Sequence, residues 1–455
     1  MSVLSEGNGG ELTDFTRGPI LRPMLRFALP VLLCDAFQLL YSMVDTVVIG
    51  HALGDTALAA IGSATAVYEI LMALAMGLAN GLTIEVARSY GTADGSRLRK
   101  AVAAALVITL GGAILLTGGA YVLLGPFLRW LHTPEEVFSQ ALEYLVPVVL
   151  FLFVTMAYNL LAGLLRAIGN SIVPLIFLVI ASCMNVGLDI LFIVPLRMGV
   201  RGAAVATVIA QAVSCVGCAI YILSRARQII PGQSDLVPDR GIYLSALMQG
   251  VSISLMNGIV YTGGAILQAA INGMGTLIVA AHTAARRIFG IFLTPYGAIN
   301  TTVGTFVSQN RGANRPDRIR KGVKLAYAAD ALMTLLIVAI LLPGAEAITR
   351  WISGSTDAVV LGNAARYLRF VAPCYMILGL LNATRISLQA IGRKLLPVLS
   401  SVIELAGKIV FALLIVPRHG YYAVILCEPL IWCLMVAELL LSFWLDPYIR
   451  RRGAT

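Results

Sequence analysis

The uneven distribution of charge along this chain constrains its fold more than any other feature. Several long runs contain almost no Lys, Arg, Asp or Glu. A stretch of about 20 consecutive apolar residues is enough to cross the hydrocarbon core of a membrane. The composition of the 455 residues agrees, because 59% are hydrophobic and only 12% are charged, against about 25% charged in soluble domains. We therefore predict a polytopic membrane protein and exclude a water-soluble fold.

Charged residues, Gly/Pro clusters and polar turns divide the chain into twelve apolar segments. Each segment must be a helix, because an unpaired backbone cannot be accommodated in lipid. The predicted fold class is therefore all-α, with 12 transmembrane helices. The predicted helices cover residues 24–50, 58–88, 100–125, 137–166, 172–196, 201–224, 242–272, 277–310, 322–344, 360–390, 395–417 and 420–445.

Basic residues orient these helices. Most of the 33 Lys and Arg residues, Arg97, Arg99 and Lys100 among them, lie at the two ends of the chain or in connections after even-numbered helices. Short connections rich in Lys and Arg face the cytoplasm, so we predict that both termini are cytoplasmic. Residues 1–22 contain no apolar stretch before a cleavage site, and we expect no signal peptide. The net charge of +10 is scattered between apolar runs and does not indicate a nucleic-acid partner.

The second half of the chain repeats the first. The segment Gly91-Thr-Ala-Asp-Gly-Ser-Arg-Leu-Arg-Lys recurs as Gly312-Ala-Asn-Arg-Pro-Asp-Arg-Ile-Arg-Lys, and Ala167-Ile-Gly recurs at nearly the same shift as Ala390-Ile-Gly. Matches in register indicate two pseudo-symmetric six-helix bundles with the same membrane orientation. The predicted parts are an N-terminal segment 1–23, an N-terminal lobe 24–224, a cytoplasmic linker 225–241, a C-terminal lobe 242–445 and a tail 446–455.

Four polar residues in three predicted helices lie at a similar depth. Asp45 is about 20 residues, or roughly 30 Å, from the cytoplasmic end of its helix. Asn185 and Asp189 are one turn apart in the outer half of the fifth helix, and Thr207 enters the sixth from outside. Single residues such as Asn185 or Thr207 often only hold helices together. Two acids indicate more, because each ionised carboxylate in a span costs at least about 2.5 kcal/mol on insertion scales and usually marks an ion pathway.

The chemistry of these four residues suits a small cation. Burial and mutual repulsion favour a proton shared by the two carboxyl groups, and the neutral oxygens of Asn185 and Thr207 also suit Na⁺. Elsewhere, Glu404 and Lys408 are four residues apart and favour an ion pair within one helix. That pair is either structural or involved in coupling or substrate binding. The chain has no HExxH, Walker or GxGxxG motif, so we expect no enzyme.

The sequence resembles a known family, the multidrug and toxic compound extrusion (MATE) transporters. Within that family it resembles the DNA-damage-inducible-F-like prokaryotic branch. The resemblance extends over essentially the whole chain. Its motifs are Pro30 with Val44-Asp45-Thr46, Asn185-Val-Gly-Leu-Asp189 followed by Gly199-Val-Arg-Gly-Ala-Ala-Val-Ala-Thr207, Ala280-Ala-His282, and Ser308-Gln309-Asn310-Arg-Gly312.

The resemblance implies a V-shaped pair of six-helix lobes that exports organic cations or other amphiphiles by antiport with H⁺ or Na⁺ and alternating access. It implies a cation site at Asp45, Asn185, Asp189 and Thr207. Na⁺ at these four residues is the only metal ion that we expect. For the substrate cavity, the resemblance implies Gln38 and Asn159. We add Tyr41, Asn257 and Tyr261 to the predicted cavity residues. The other large branch carries an essential Glu in helix 7, which residues 250–272 lack. Glu404, with Lys408, is then the only obvious acid for coupling in the C-terminal lobe.

We therefore expect a monomeric efflux transporter in the cytoplasmic membrane of a bacterium or archaeon, in contact with lipid and without a cofactor. Two alternatives stay open. One is a flippase or exporter of a lipid-linked or endogenous metabolite on the same fold, which basic residues facing the cavity would indicate. The other is a membrane-embedded prenyl-diphosphate transferase, which needs several Asp residues to hold Mg²⁺ on diphosphate, whereas this chain has one suitable pair.

Overall fold

The structure is a computed structural model that describes residues 13–130, 133 and 135–451. Every regular element in these residues is helical, which confirms the predicted fold class. The helices of the first half are α1 (Leu21–Leu53), α2 (Asp55–Gly91), α3 (Gly95–Trp130), α4 (Glu135–Leu150), α5 (Leu152–Ala167), α6 (Ile172–Ile193) and α7 (Gly199–Arg225). Those of the second half are α8 (Arg240–Asn272), α9 (Thr276–Gly312), α10 (Pro316–Ser353), α11 (Ala358–Ile391), α12 (Leu395–Val410), α13 (Val416–His419), α14 (Tyr421–Trp444) and α15 (Pro447–Arg450).

The number of membrane-crossing helices agrees with the prediction. Within the described residues, eleven helices are long and apolar enough to cross a membrane. The bent pair α4–α5 raises the number to twelve when it is counted as one crossing. The predicted apolar segments therefore correspond to the observed helices, with most differences at the ends.

Two predicted helices are not regular. The helix predicted over 137–166 is bent by 49° between α4 and α5. Pro147, one turn before the break at Phe151, has no N–H to donate, and a helix is weakened at such a residue. The helix predicted over 395–417 contains a π-helical turn at Phe411–Ile415, between α12 and α13.

Contacts divide the chain into two compact units. Unit 1 holds Leu25–Leu255 with the segment that ends at Arg17, and unit 2 holds Gly18–Met24 and the chain from Met256 onward. The division lies inside α8, so the predicted linker 225–241 is part of unit 1. The predicted lobe limits follow the repeat rather than contacts and stay a prediction. The predicted end segments 1–23 and 446–455 lie partly outside the described residues.

The backbone carries the sequence repeat. Gly169 and Gly392, which close the two Ala-Ile-Gly segments, have φ of 91° and 97° and follow the ends of α5 and α11. Glycine adopts this left-handed conformation without steric cost. Other positive-φ positions recur at the shift that relates Gly91 to Gly312, namely Gly54 with Gly275, Ala93 with Asn314, and Gly199 with Gly420. Turns of the same conformation therefore lie at corresponding helix ends and helix starts in both halves.

Candidate ion-binding and substrate site

Asp45 and Asp189, the two acids predicted to share a site, lie next to each other in unit 1. Asp45 is on α1 and Asp189 is on α6, where its side chain is completely buried. The carboxyl groups are close enough for a proton on one to be donated to the other. Without that proton, Asp45 Oδ1 and both carboxylate oxygens of Asp189 are buried and have no hydrogen-bond donor in the described part of the chain.

Asn185 and Thr207 complete the predicted set from the neighbouring turn of α6 and from α7. Asn185 is 1% exposed, and its Nδ2 donates to Thr207 Oγ1 at 3.5 Å. Asn185 Oδ1 is a further buried oxygen without a donor. The structure thus brings side chains from three helices of unit 1 together and leaves four acceptor oxygens unpaired. Because buried acceptors normally have a partner, this arrangement suits a proton or a hard cation that prefers oxygen ligands.

Three tyrosine side chains lie near the acidic pair. Tyr41, Tyr68 and Tyr144 all lie within electrostatic range of Asp45. Tyr68 and Tyr144 also pack against an apolar cluster of unit 1 that includes Leu124 and Leu145. Of these three tyrosines, only Tyr41 was predicted from the sequence as a site residue. Aromatic residues with a polar tip inside the apolar segments of α2 and α4 were the available signal, but helical periodicity does not show which helix faces the acids.

A cavity in unit 1 adjoins the four residues. It lies among α1, α5, α6 and α7 and measures about 380 Å³ including its open mouth. Asn185 and Thr207 line it together with the predicted cavity residues Gln38 and Tyr41. Gln211 also lines it and was missed by the sequence analysis. The candidate ion site and the candidate substrate cavity therefore share side chains.

The other predicted cavity residues have different surroundings. Asn159 donates from Nδ2 to the carbonyl oxygen of Thr155 at 2.8 Å, one turn earlier in α5, and it does not line this cavity. Because the Asn159 amide bonds to the backbone of its own helix, it is held against α5, which explains why Asn159 does not line the cavity. Asn257 and Tyr261 lie on α8 within unit 2, and their substrate role stays a prediction.

Unit 2 contains an ion-pair network. Lys408 Nζ donates to Glu404 Oε1 at 2.8 Å, the pair that the four-residue spacing favours, and also lies 3.5 Å from Glu428 Oε1. Arg286 donates to Glu428 Oε2 at 2.8 Å, and Arg385 lies 3.9 Å from Glu404 Oε2. Charges thus alternate in sign across α9, α14, α12 and α11. We call Arg286, Glu428, Lys408, Glu404 and Arg385 the ion-pair network.

The network changes the prediction for the acids of this half. Glu404 is not the only acid there, because Glu428 shares Lys408 with it and Asp330 is completely buried on α10. The sequence does not reveal such partners, since they come from other helices. The shift between the two Ala-Ile-Gly segments pairs Lys408 with Asn185. Unit 2 therefore has neutralised charges at the position where unit 1 has unpaired acceptor oxygens.

The family comparison agrees with this duplicated architecture. The MatE family model matches the chain twice, over residues 30–191 and 252–414. The chain belongs to the MatE family. The starts and the ends of the two matches are offset by almost the same shift as the repeated segments, which confirms the internal duplication predicted from the sequence. The first match contains Asp45, Asn185 and Asp189, and the second contains the residues of the ion-pair network up to Lys408.

Curated relatives of this MatE protein are named for multidrug resistance, for transport or for induction by DNA damage. The probable multidrug resistance protein YpnP of Bacillus subtilis is 26% identical over 366 residues, which are 80% of this chain and 81% of YpnP. The FAD transporter of Shewanella oneidensis is 25% identical over 411 residues, 89% of each protein. The DNA damage-inducible protein F of Escherichia coli is 28% identical over 190 residues, 42% of this chain and 41% of that protein.

Solved structures support the fold of this MatE protein. One described as "Crystal structure of MATE in the bent conformation" has a TM-score of 0.87 and 22% sequence identity, and the match covers 97% of both chains. At this identity the likeness concerns the fold alone. It agrees with the predicted all-α fold of an integral membrane protein.

Proposed function

We propose that this MatE protein is a secondary active multidrug efflux transporter that exports organic cations or amphiphiles in exchange for H⁺ or Na⁺. One observation carries the proposal. Asp45, Asn185 and Asp189 contribute four buried acceptor oxygens without donors, beside a cavity that shares Asn185 and Thr207 with them. Two ionised carboxylates in this position repel each other, and one proton or Na⁺ relieves that repulsion.

Sharing of side chains provides the basis for antiport. Asn185 and Thr207 line the cavity and also belong to the ion site. A cationic substrate in the cavity and a coupling ion at Asp45 and Asp189 are attracted by the same negative charge. Each therefore weakens binding of the other, and the arrival of one favours release of the other.

Alternating access follows if the ion binds two conformations unequally, because only unequal affinity shifts a conformational equilibrium. In this structure Asp189 is enclosed, so an ionised and empty pair is costly here. A conformation that admits water to the pair stabilises the ionised form. Cation binding then favours the enclosed form, and discharge to the cytoplasm resets the protein.

The exchange need not move net charge. When one monovalent substrate cation leaves for each H⁺ or Na⁺ that enters, the voltage contribution of about 2.3 kcal/mol per charge per 100 mV cancels. Concentration gradients alone then drive export. We further propose that the protein acts as a monomer without a cofactor, with lipid as its surroundings.

Basic connections support a location in the cytoplasmic membrane of a bacterium or archaeon, with both termini cytoplasmic. Arg97, Arg99 and Lys100 begin α3 beside one such connection, and Arg318 and Arg320 begin α10 beside its repeat. The extreme ends of the chain, residues 1–12 and 452–455, lie outside the described residues. Labelling of introduced cysteines from either side of the membrane tests this orientation.

A second candidate function is export of an endogenous metabolite, which the likeness to an FAD transporter favours. An anionic metabolite requires unpaired cations along its path. Arg286 and Lys408 each lie 2.8 Å from a carboxylate oxygen, and Arg385 lies 3.9 Å from one. The described residues that line the unit 1 cavity include neither Lys nor Arg, which supports organic cations as the first candidate substrates.

Transport by the purified protein in liposomes tests the proposal, with H⁺ and Na⁺ gradients imposed independently and a panel of cationic dyes and FAD as substrates. We expect Asp45→Asn and Asp189→Asn to reduce gradient-driven efflux to the level of protein-free vesicles. Asp357→Asn is the matched control, because Asp357 is an exposed helix N-cap and Asn caps a helix equally well. Undiminished efflux by folded Asp45→Asn would contradict the proposal, and FAD efflux that excludes the dyes would favour the second candidate.

A further inference from the structure

Asp330, in the middle of α10, is a buried acid that lies outside both the candidate ion site and the ion-pair network. Its side chain is completely buried, and neither carboxylate oxygen has a hydrogen-bond partner among the residues that the structure describes. An isolated ionised carboxylate in such a place is very costly, and a group in this position normally becomes neutral instead. The surroundings of Asp330 therefore decide what neutralises it.

The nearby hydroxyl groups are already committed to other acceptors. Thr334 Oγ1 donates to the backbone carbonyl oxygen of Asp330 at 2.7 Å, and the Tyr296 hydroxyl lies 2.6 Å from Thr334 Oγ1. Since the Thr334 proton is used, Tyr296 must be the donor in that second bond. On the other side, Thr384 Oγ1 donates to the Leu380 carbonyl, so Tyr327, 2.7 Å away, donates to Thr384. None of these four hydroxyl protons is available to the Asp330 carboxylate.

The packed helices supply no opposite charge either. The titratable groups facing Asp330 are phenols, Tyr296 from α9 and Tyr327 from α10 itself, with Tyr375 of α11 stacked on Tyr296. The short helix α15 packs near the start of α10, where Arg320 bonds to the carbonyl oxygen of Arg451 at 2.9 Å. Arg320 lies almost three helical turns before Asp330, roughly 15 Å along the helix. Within the described residues, no cation pairs with Asp330.

The space around the carboxyl group admits only a very small ligand. A Cβ atom added at Gly379 of α11 would lie 2.8 Å from Asp330 Cγ and 2.9 Å from Tyr296 Cε1. The side chain of Asp330 therefore packs directly on the backbone of α11. A metal cation such as Mg²⁺ or Ca²⁺ needs several oxygen ligands arranged around it, and this packing leaves no room for them.

We infer that Asp330 is a second proton-binding site, in unit 2, separate from the Asp45/Asp189 pair. The neutral acid fits the closed packing of α9, α10 and α11. When these helices separate enough to admit water beside Gly379, the Asp330 O–H bond breaks, the proton passes to water, and the carboxylate is solvated. The reverse transfer accompanies closure. Asp330 thus couples protonation to the packing of three helices.

The repeat indicates that this site is particular to the second half. The shift that relates Gly91 to Gly312 pairs Asp330 with Thr109 of α3, a buried residue whose hydroxyl also has no partner. An aliphatic hydroxyl group does not ionise near neutral pH, so Thr109 cannot serve as an acid there. Unit 1 therefore has its acids on α1 and α6, whereas unit 2 has its unpaired acid on α10.

Infrared spectroscopy of the purified full-length protein tests the site without requiring transport. A protonated carboxyl group gives a carbonyl band that shifts in D₂O and disappears on ionisation. We expect the wild type minus Asp330→Asn difference spectrum to contain one such band, and proton release on alkalinisation to fall by one proton per molecule. Identical spectra for the two proteins would overturn the inference. The spectrum of Asp45→Asn reports the proposed ion site separately, so failure of one site is distinguishable from failure of the other.

A second variant keeps the test decisive if Asp330→Asn does not fold. Tyr296→Phe removes a hydroxyl group near Asp330 and leaves the ring stacking in place. We expect it to move the band and the pH at which the band disappears, whereas Asp357→Asn should leave both unchanged. A carboxyl band that responds to Na⁺ rather than to pH would also overturn the assignment. The role of Asp330 in transport rests on the proposed function, whereas its protonation does not. A lower ratio of H⁺ to substrate in Asp330→Asn would establish that role.

Discussion

Replacement of Lys408 by Met removes the central cation of the ion-pair network while keeping most of the volume of its aliphatic stem. The Lys408 side chain is 4% exposed, and its partners Glu404 and Glu428 are 8% and 11% exposed. In the variant, Glu428 keeps its ion pair with Arg286 at 2.8 Å, whereas the one cation left to Glu404 among the described residues is Arg385, at 3.9 Å. The variant therefore leaves a poorly compensated carboxylate in the core of unit 2.

The expected loss in unfolding free energy is large. Removal of one partner of a buried ion pair typically costs about 3–5 kcal/mol. The chain offers a control with the same four-residue spacing, because Arg350 and Glu346 form a pair at 3.3 Å whose side chains are 60% and 51% exposed. Exposed pairs of this kind contribute about 0.3–0.5 kcal/mol. Lys408→Met should therefore be at least about fivefold more destabilising than Arg350→Met.

Equilibrium unfolding in mixed detergent micelles measures both losses, and a double-mutant cycle with Glu404→Gln isolates the coupling. We expect the double variant to be more stable than Lys408→Met alone, because the uncompensated carboxylate is gone. A loss for Lys408→Met no larger than that for Arg350→Met would refute the reasoning. Transport by the double variant then separates the two interpretations of the pair: retained efflux indicates a structural role, and lost efflux at restored stability indicates coupling.

Two further predictions concern the ion pair between Arg393 and Asp446 and a close helix contact. Partial burial alone would raise the pKa of Asp446, but the hydrogen bond from Arg393 at 2.6 Å holds that pKa below its ordinary value. The pair thus stabilises the fold at neutral pH, and this contribution should disappear as pH falls through the lowered pKa; thermal unfolding of Asp446→Asn should lack that acid-sensitive component. Gly81→Ala should cost about 1–3 kcal/mol, since an added Cβ would lie 2.4 Å from Gly250 Cα. Gly118→Ala, with no atom within 4 Å of the new Cβ, should be nearly neutral in the same unfolding assay.

The sequence by itself determined the properties that depend on short-range order along the chain. Apolar runs of helical length located the membrane-crossing helices, because lipid leaves the backbone no other solution. The Ala-Ile-Gly segments marked the duplication, since the left-handed turns at Gly169 and Gly392 require glycine at corresponding places. Helix direction and rise also predicted a similar depth for Asp45 and Asp189, whereas the tertiary structure decided that the two acids of α1 and α6 lie next to each other.

Only the tertiary structure decided which side chains face each other across helices. Helical periodicity shows that Lys408 shares a face with Glu404, but it contains no information that Glu428, from another helix, lies 3.5 Å from the same ammonium group. For the same reason Tyr68 and Tyr144 near the acids were missed. Asp330 is the clearest case, because its unpaired state depends on where neighbouring hydroxyl groups send their protons. Burial and hydrogen bonding between distant segments are properties of the packed chain. The sequence determines them, but they cannot be read from the pattern of residues along a single chain.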